Sequence, residues 1–310
     1  MIISASRRTD IPAFYAKWFF NRIKQGYVLV PNPFNPQMIS RVSLDPQVVD
    51  CIVFWTKNPA PMIPRLDELQ DYKYYFQFTL NPYGEDIEVN LPSIAVRIET
   101  FKRLSDKIGK EKVIWRYDPV LTNEKYDVDF HREAFSRLAE ALKDHTEKCM
   151  IGFIDHYSHI RHAMGRHGIK PLERQKIDHM AVSFREMIDR LPISLDTCTV
   201  KVDLRPLGIP SGACIDKELV ERITGYPISA RKDRNQRDIC NCIESIDIGT
   251  YESCLNGCVY CYAIKRTNMV QSNRQKHDAD SPLLIGNIGE GDVVKERTVK
   301  SLRSDQSSLF

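Results

Sequence analysis

The chain lacks any apolar run that approaches the roughly 18 residues of a membrane span. Its first residues, MIISASRRTDIP, contain no stretch long enough for the apolar core of a secretory signal. Both absences argue against membrane insertion and export. We therefore expect a cytoplasmic protein with no membrane partner.

The sequence also has little excess of either charge, and internal repeats and low-complexity stretches are absent. It contains 44 basic and 41 acidic residues, a formal net charge of +3. This excess is too small to support nucleic acid as a partner. At 310 residues and 42% hydrophobic content, the chain has the composition of a globular protein with one large domain or two modest ones.

Six short apolar, β-branched or aromatic runs alternate with segments of helical pattern. We predict strands at residues 2–6, 50–56, 74–80, 112–118, 149–155 and 193–200. We predict helices near 12–25, 60–71, 92–108, 129–145 and 172–191, with a hairpin around PNPFNP after the first. Continuous apolarity is typical of strands buried on both faces, and the alternation predicts a parallel sheet. The expected fold class is α/β, a partial or closed TIM-like (β/α) barrel of about six to seven strands.

Polar side chains stand at the end of each predicted strand. Those that could bind a ligand through charge are Arg7, Arg8, Asp10, Lys57, Arg116 and Asp118. In a (β/α) barrel the carboxyl ends of the strands converge on one mouth, where the site is built. Guanidinium groups suit carboxylate or phosphate, so we predict cofactor or substrate binding there. The alternative is that polar residues simply begin loops, with salt bridges inside them.

The strand and helix pattern breaks after residue 200. We predict a barrel core at 1–200, a cysteine-rich segment at 201–275 packed on the mouth, and a polar tail at 276–310. A short helix is expected near 215–223.

Five of the nine cysteines fall between Cys240 and Cys261. In a reduced compartment this favours metal binding over disulfides. Cys254, Cys258 and Cys261 have the spacing CxxxCxxC, with Tyr260 before the last. Three thiolates leave one iron of a [4Fe-4S] cluster without a protein ligand, and a small molecule can bind there. The alternative is a structural zinc site that joins the Cys258 and Cys261 pair to Cys240 and Cys242.

Four further cysteines follow the sixth predicted strand: Cys198, Cys214, Cys240 and Cys242. Four thiolates saturate a second iron–sulfur cluster or a zinc ion, although four unrelated cysteines are an open alternative. Cys51 and Cys149 begin buried strands and are expected to be small core residues.

Two more clusters have a functional and a structural interpretation. Four histidines in HYSHIRHAMGRH, residues 156–167, could place a metal or proton donor at the mouth, or could lie on a polar surface helix. The charge run ARKDRNQRD, residues 230–238, is expected to be a solvated loop, with a cation patch as the alternative.

The segment CLNGCVYCYA, residues 254–263, resembles the radical S-adenosylmethionine signature. Tyr262 and Ala263 make it similar to the spore photoproduct lyase-like branch. The resemblance implies that the open iron binds S-adenosylmethionine and that one-electron reduction cleaves it to a 5′-deoxyadenosyl radical. It also implies an electron donor such as ferredoxin or flavodoxin, and leaves the substrate unknown. The alternative function is a zinc- or iron–sulfur-binding barrel without radical chemistry, with a structural metal site or hydrolase activity.

The whole chain resembles the family called domain of unknown function 1848, through SASRRTDIP, FWTKNP, WRYDP and DIGTY. In the radical superfamily the cluster loop follows the first barrel strand, whereas here it lies near the C-terminus. SIDIGTY (245–251) precedes the loop as a strand would, and AIKRTNMVQS (263–272) could be the helix after it. A circular permutation would place SIDIG beside IISAS, and closely spaced chain ends make this tolerable.

Overall fold

The computed structural model describes residues 1–304. Its strands are β1 (Ile2–Ala5), β2 (Tyr27–Pro31), β3 (Met38–Ser43), β4 (Cys51–Thr56), β5 (Tyr74–Thr79), β6 (Val113–Val120), β7 (Lys148–Phe153), β8 (Ser194–Thr197), β9 (Ile246–Asp247) and β10 (Val293–Glu296). Its α-helices are α1 (Ile11–Phe14), α2 (Ala16–Gln25), α3 (Ile94–Ile108), α4 (Val128–Leu142), α5 (Arg161–Arg166), α6 (Arg174–Ile188), α7 (Lys217–Thr224) and α8 (Thr267–Lys276). No helix in residues 1–304 is long and apolar enough to span a bilayer.

Seven strands form one parallel sheet in the order β8-β7-β6-β5-β4-β1-β9. All six predicted strands are present, and β9 is the seventh. The prediction of an α/β fold around a parallel sheet is confirmed. Strands β8 and β9 are the two edges of this sheet, so the sheet is open between them and is consistent with a partial barrel.

Successive side chains along each strand point to opposite faces of the sheet, and both faces are covered by apolar layers. One face packs against helices α3, α4 and α6 and contains Phe76 and Trp115. The opposite face contains Val53, Tyr75 and Met150 and packs against residues of the 213–243 segment. The chain that follows β8 therefore covers the face of the sheet that the helices leave free.

Strand β9 pairs with β1 in parallel, with Ile3 opposite Ile246 and Ser4 opposite Asp247. The predicted pairing of SIDIG with IISAS is confirmed. Two serine hydroxyls of the β1 region donate to the Asp247 carboxylate, Ser4 at 2.8 Å and Ser6 at 2.6 Å. The cysteine loop therefore leaves the edge of the sheet next to the first strand.

Three predicted helices differ in detail. The 60–71 segment forms a 3₁₀ helix, Ile63–Leu69, with Pro64 in its first turn. The 12–25 segment is divided into α1 and α2 at Tyr15. The helix after the cysteine loop begins only at Thr267, because the N–H groups of Lys265 and Arg266 donate to the Glu252 carboxylate instead.

The segment predicted as a tail packs on the rest of the fold in part. Strand β10 pairs with β3 and extends the predicted β2–β3 hairpin into a three-stranded sheet. Asp50, just before β4, accepts hydrogen bonds from the Ser301 hydroxyl at 2.5 Å and the Leu302 N–H at 2.7 Å. Residues 305–310 of the predicted tail lie outside the described residues.

The close approach of the chain after β9 to the end of β1 gives a stability prediction. A Cβ on Gly249 would overlap the Ser6 side chain and lie 3.2 Å from Thr9 Cγ2. We expect Gly249→Ala to lower the free energy of unfolding by about 1–3 kcal/mol, the range for overpacking. Denaturant unfolding measures the change. Gly165→Ala is the matched control, since its Cβ would meet no atom within 4 Å; equal midpoints for the two variants would contradict the prediction.

Candidate functional site

A cavity of about 450 Å³ lies where the carboxyl ends of the sheet strands meet. The ends of β1, β4, β5, β6, β7 and β8 all contribute lining residues, so the predicted convergence of strand ends is confirmed. The cavity brings together the charged strand-end candidates, Tyr260 and seven of the nine cysteines: Arg7, Arg8, Asp10, Lys57, Arg116, Asp118, Tyr260, Cys198, Cys214, Cys240, Cys242, Cys254, Cys258 and Cys261.

The loop of residues 254–261, called the cluster loop below, places three thiols on the cavity wall. All nine cysteines of the chain are free. Burial raises the pKa of the Cys258 thiol to about 12 and raises the pKa of Cys254 and Cys261 as well. A metal ion that binds here must therefore displace protons.

The segment of residues 87–90 after β5 holds the cluster loop by backbone pairing. The Val259 N–H donates to the Ile87 carbonyl at 3.0 Å, and the Asn90 N–H donates to the Asn256 carbonyl at 3.0 Å. Gly257 between these contacts has φ +68°, the left-handed region that favours glycine. A Cβ there would lie 3.1 Å from Val89 Cβ. Glycine therefore permits the tight turn of the cluster loop at this position.

Asp10 joins three parts of the cavity wall through one buried carboxylate. It accepts from the Thr56 hydroxyl at 2.7 Å, the Lys57 N–H at 2.8 Å and Asn256 Nδ2 at 3.1 Å. It also caps α1 by accepting from the Ala13 N–H at 3.0 Å. Its carboxylate oxygens are thus occupied by the protein, which makes Asp10 a positioning residue for the cluster loop.

Tyr260 and Lys57 belong to a buried charged network around Glu88, a residue that the sequence interpretation missed. Lys57 Nζ lies 2.8 Å from Glu88 Oε1 and 2.8 Å from the Tyr260 hydroxyl, which also donates to Glu88. Arg97 Nη1 binds the other Glu88 oxygen at 2.8 Å. Burial opposes the charge on Glu88, but Lys57 and Arg97 outweigh it and lower the pKa of the carboxyl.

Arg7 and Arg8 lie just after the end of β1, and they differ in their partners. The Arg7 guanidinium lies 5.0 Å from the Trp55 ring centroid, and its Nη2 is buried without a hydrogen-bond partner. Arg8 Nη1 donates to the Gly249 carbonyl at 3.4 Å, and its guanidinium lies 5.1 Å from the Tyr251 ring. Arg7 is the better placed of the two to receive an anionic group.

Arg116 reaches the second group of cysteines. Its Nη2 pairs with Asp118, and its Nη1 donates to Cys214 Sγ at 2.6 Å. Cys214 Sγ lies 2.9 Å from Cys198 Sγ. Cys240 and Cys242 line the same cavity, and Cys242 Sγ accepts a hydrogen bond from the Ile215 N–H at 3.3 Å.

Hydrogen bonds among the thiols of this second group shift their pKa values in opposite directions. The hydrogen bond with Cys214 lowers the pKa of Cys198 to about 6 against its burial, with help from Arg116. Hydrogen bonds with Cys214 and Cys240 lower the pKa of Cys242, whereas hydrogen bonds with Cys198 and Cys242 raise the pKa of Cys214 and the bond with Cys242 raises the pKa of Cys240.

The charge run of residues 230–238 reaches the cavity, whereas the histidines of residues 156–167 do not. Arg237, in the run predicted as a solvated loop, lines the cavity, pairs with Asp155 and donates to Thr199 Oγ1 at 2.7 Å. The histidines of residues 156–167 do not line it. His159 Nε2 lies 3.1 Å from the Tyr262 carbonyl, on the outside of the cluster loop.

Within residues 1–304, no group of three or more His, Cys, Asp or Glu side chains stands in an arrangement that could hold a metal ion as it is. The donor set nevertheless fits a thiolate-bound group, since seven free cysteines face one cavity. Binding requires that these side chains rotate.

Comparison with known proteins gives one match. The model of the family described as domain of unknown function (DUF1848) matches residues 2–263. This range includes every residue that lines the cavity. No curated protein and no solved structure matches the chain.

Proposed function

The chain belongs to the DUF1848 family, and we propose that it is a radical S-adenosylmethionine enzyme with one [4Fe-4S] cluster on Cys254, Cys258 and Cys261. The observation that carries the proposal is the position of these three thiols on one loop, at the cavity where six strand ends converge. With three protein thiolates, a four-iron cluster keeps one iron free for a small molecule.

Cys254, Cys258 and Cys261 would hold the cluster, which would supply the one electron that breaks a C–S bond of S-adenosylmethionine to give methionine and a 5′-deoxyadenosyl radical. The other residues of this chain would position the cluster loop and favour metal binding by its thiols. Lys57 brings its positive charge close to Cys258 and favours the thiolate form that a metal requires. Asp10 holds the loop in place through Asn256. A ferredoxin or flavodoxin in the cytoplasm would serve as the electron donor.

Arg7 is the candidate for binding a carboxylate, either of S-adenosylmethionine or of the substrate. A buried guanidinium N–H without a partner is costly, and a carboxylate oxygen would satisfy it. The aromatic rings of Trp55, Tyr157 and Tyr262 line the same cavity and would exclude water from a reactive radical.

The pairing of β9 with β1 supports a circularly permuted form of the radical barrel. The order β9, cluster loop, α8 gives a strand, a loop and a helix in succession. In space this unit stands next to the first strand. A permutation that moves one βα unit to the end of the chain leaves the neighbours of that unit unchanged.

Metal analysis tests the proposal first. We expect anaerobically reconstituted protein to hold about four irons per chain at this site, with the broad visible absorbance of an iron–sulfur cluster. The variant with Cys254, Cys258 and Cys261 all replaced by serine should hold none of this iron. A colourless wild-type protein that binds only zinc would support the alternative, a metal-binding barrel without radical chemistry.

A further inference from the structure

We propose that Cys198, Cys214, Cys240 and Cys242 bind one zinc ion, on the cavity wall away from the cluster loop. The four residues, called the thiol quartet below, come from the end of β8 and from the chain segment that covers the inner face of the sheet. The inference is independent of the proposed cluster, because the two sites share no ligand.

The spacing of the sulfurs favours a single ion over a second cluster. In a tetrahedral zinc site with Zn–S distances of about 2.3 Å, neighbouring sulfurs lie about 3.8 Å apart. Cys198 Sγ and Cys214 Sγ lie 2.9 Å apart, so this pair must separate by about 0.9 Å to reach that spacing. In a four-iron cluster each cysteine binds a different iron, and the sulfurs must spread much further.

The backbone fixes the quartet in place. The Thr197 N–H donates to the Pro210 carbonyl at 2.9 Å, and the Gly212 N–H donates to the Thr197 carbonyl at 2.9 Å. A Cβ on Gly212 would lie 2.8 Å from Asp196 Cβ, so glycine permits this close approach of the loop to β8. Cys198 and Cys214 are therefore held opposite each other although 16 positions separate them.

Hydrogen-bond donors and positive charges around the quartet match those of a thiolate site. The Ile215 N–H donates to Cys242 Sγ at 3.3 Å, and Arg116 donates to Cys214 Sγ at 2.6 Å. Backbone and side-chain donors to metal-bound sulfur are the usual outer shell of such sites. A divalent ion with four thiolates is doubly negative, and the guanidiniums of Arg7 and Arg116 face the quartet.

The burial of the quartet argues that the ion is structural. Cys242 is 2% exposed and Cys214 is 5% exposed, and both pack among Tyr75, Ile215 and Val220. Four protein ligands leave no open position, as in structural zinc sites. The ion would tie the 211–243 segment to the end of β8 and so complete the cavity wall.

Zinc and iron analysis of full-length protein purified anaerobically tests the inference. We expect one zinc per chain, with X-ray absorption at the zinc edge showing four sulfur ligands at about 2.3 Å. This measurement uses the wild type and does not depend on how a variant folds. Absence of zinc, a sulfur count below four, or about eight irons without zinc would overturn the inference.

Two variants separate the sites. Cys240→Ser combined with Cys242→Ser should reduce bound zinc at least tenfold and leave the cluster iron. The serine triple variant of the cluster loop should lose its iron and keep its zinc, whether or not the protein cleaves S-adenosylmethionine. Zinc that remains in the first variant or disappears with the second would contradict the assignment to the quartet.

Discussion

Cys258→Ala is expected to abolish cleavage of S-adenosylmethionine and to leave the α/β fold intact. Three thiolates are the minimum that anchors a four-iron cluster with one iron free, so the loss of one should empty or degrade the site. The fold should remain, because its stability comes from apolar surface buried between strands and helices, at about 25 cal/mol per Å². We expect iron per chain to fall to near zero, with an unchanged circular dichroism spectrum.

Cys149→Ala is the matched control for this variant. Its thiol is fully buried on the helix-packed face of the sheet, away from the cavity. It should cost some stability but keep wild-type iron and activity. If Cys258→Ala holds as much iron as Cys149→Ala and forms as much 5′-deoxyadenosine, Cys258 is not a cluster ligand.

Glu88→Ala is expected to be among the most destabilising single changes at the site. Glu88 is 1% exposed and compensates two buried cations, Lys57 and Arg97. Removal of one partner from a buried ion pair costs about 3–5 kcal/mol, because an uncompensated charge remains. The same change removes the acceptor of the Tyr260 hydroxyl, so iron retention should fall as well.

Denaturant unfolding of the protein without metal measures this effect apart from any cluster. Glu85→Ala is the control, since Glu85 lies exposed in the same loop and should change the free energy of unfolding by at most about 0.5 kcal/mol. Adding Arg97→Met to a Glu88→Gln variant should recover part of the lost stability, because it removes one unpaired charge. A Glu88→Ala variant as stable as Glu85→Ala would show that the network contributes little.

The strands could be predicted because burial on both faces leaves a continuous apolar run in each of them, and the convergence of their carboxyl ends could be predicted from the strands. The positions of Arg7, Lys57 and Arg116 followed from the same pattern, since each stands at or near a strand end. Even β9, only two residues long, was placed beside β1 through the circular permutation that the resemblance to the radical S-adenosylmethionine signature implies. These features depend on local sequence and on the common geometry of parallel sheets.

Glu88 and Arg237 could not be found in this way. Each is a charged residue in a polar loop, a pattern that indicates exposure to solvent. Glu88 is buried because Lys57, Arg97 and Tyr260 meet it, and Tyr260 lies 172 positions away in the sequence. The positioning role of Asp10 could not be predicted for the same reason, because its oxygens accept hydrogen bonds from Thr56, Lys57 and Asn256. Pairing between distant polar groups leaves no periodic signal in a single sequence.

The most direct test of the central claim is formation of 5′-deoxyadenosine by the wild-type protein. Protein reconstituted to about four irons at the cluster loop is incubated anaerobically with dithionite and S-adenosylmethionine, with cell extract as a source of substrate. Chromatography should show 5′-deoxyadenosine that depends on dithionite and is absent with Cys258→Ala. Wild-type protein that retains its iron under these conditions and forms none would contradict the radical mechanism.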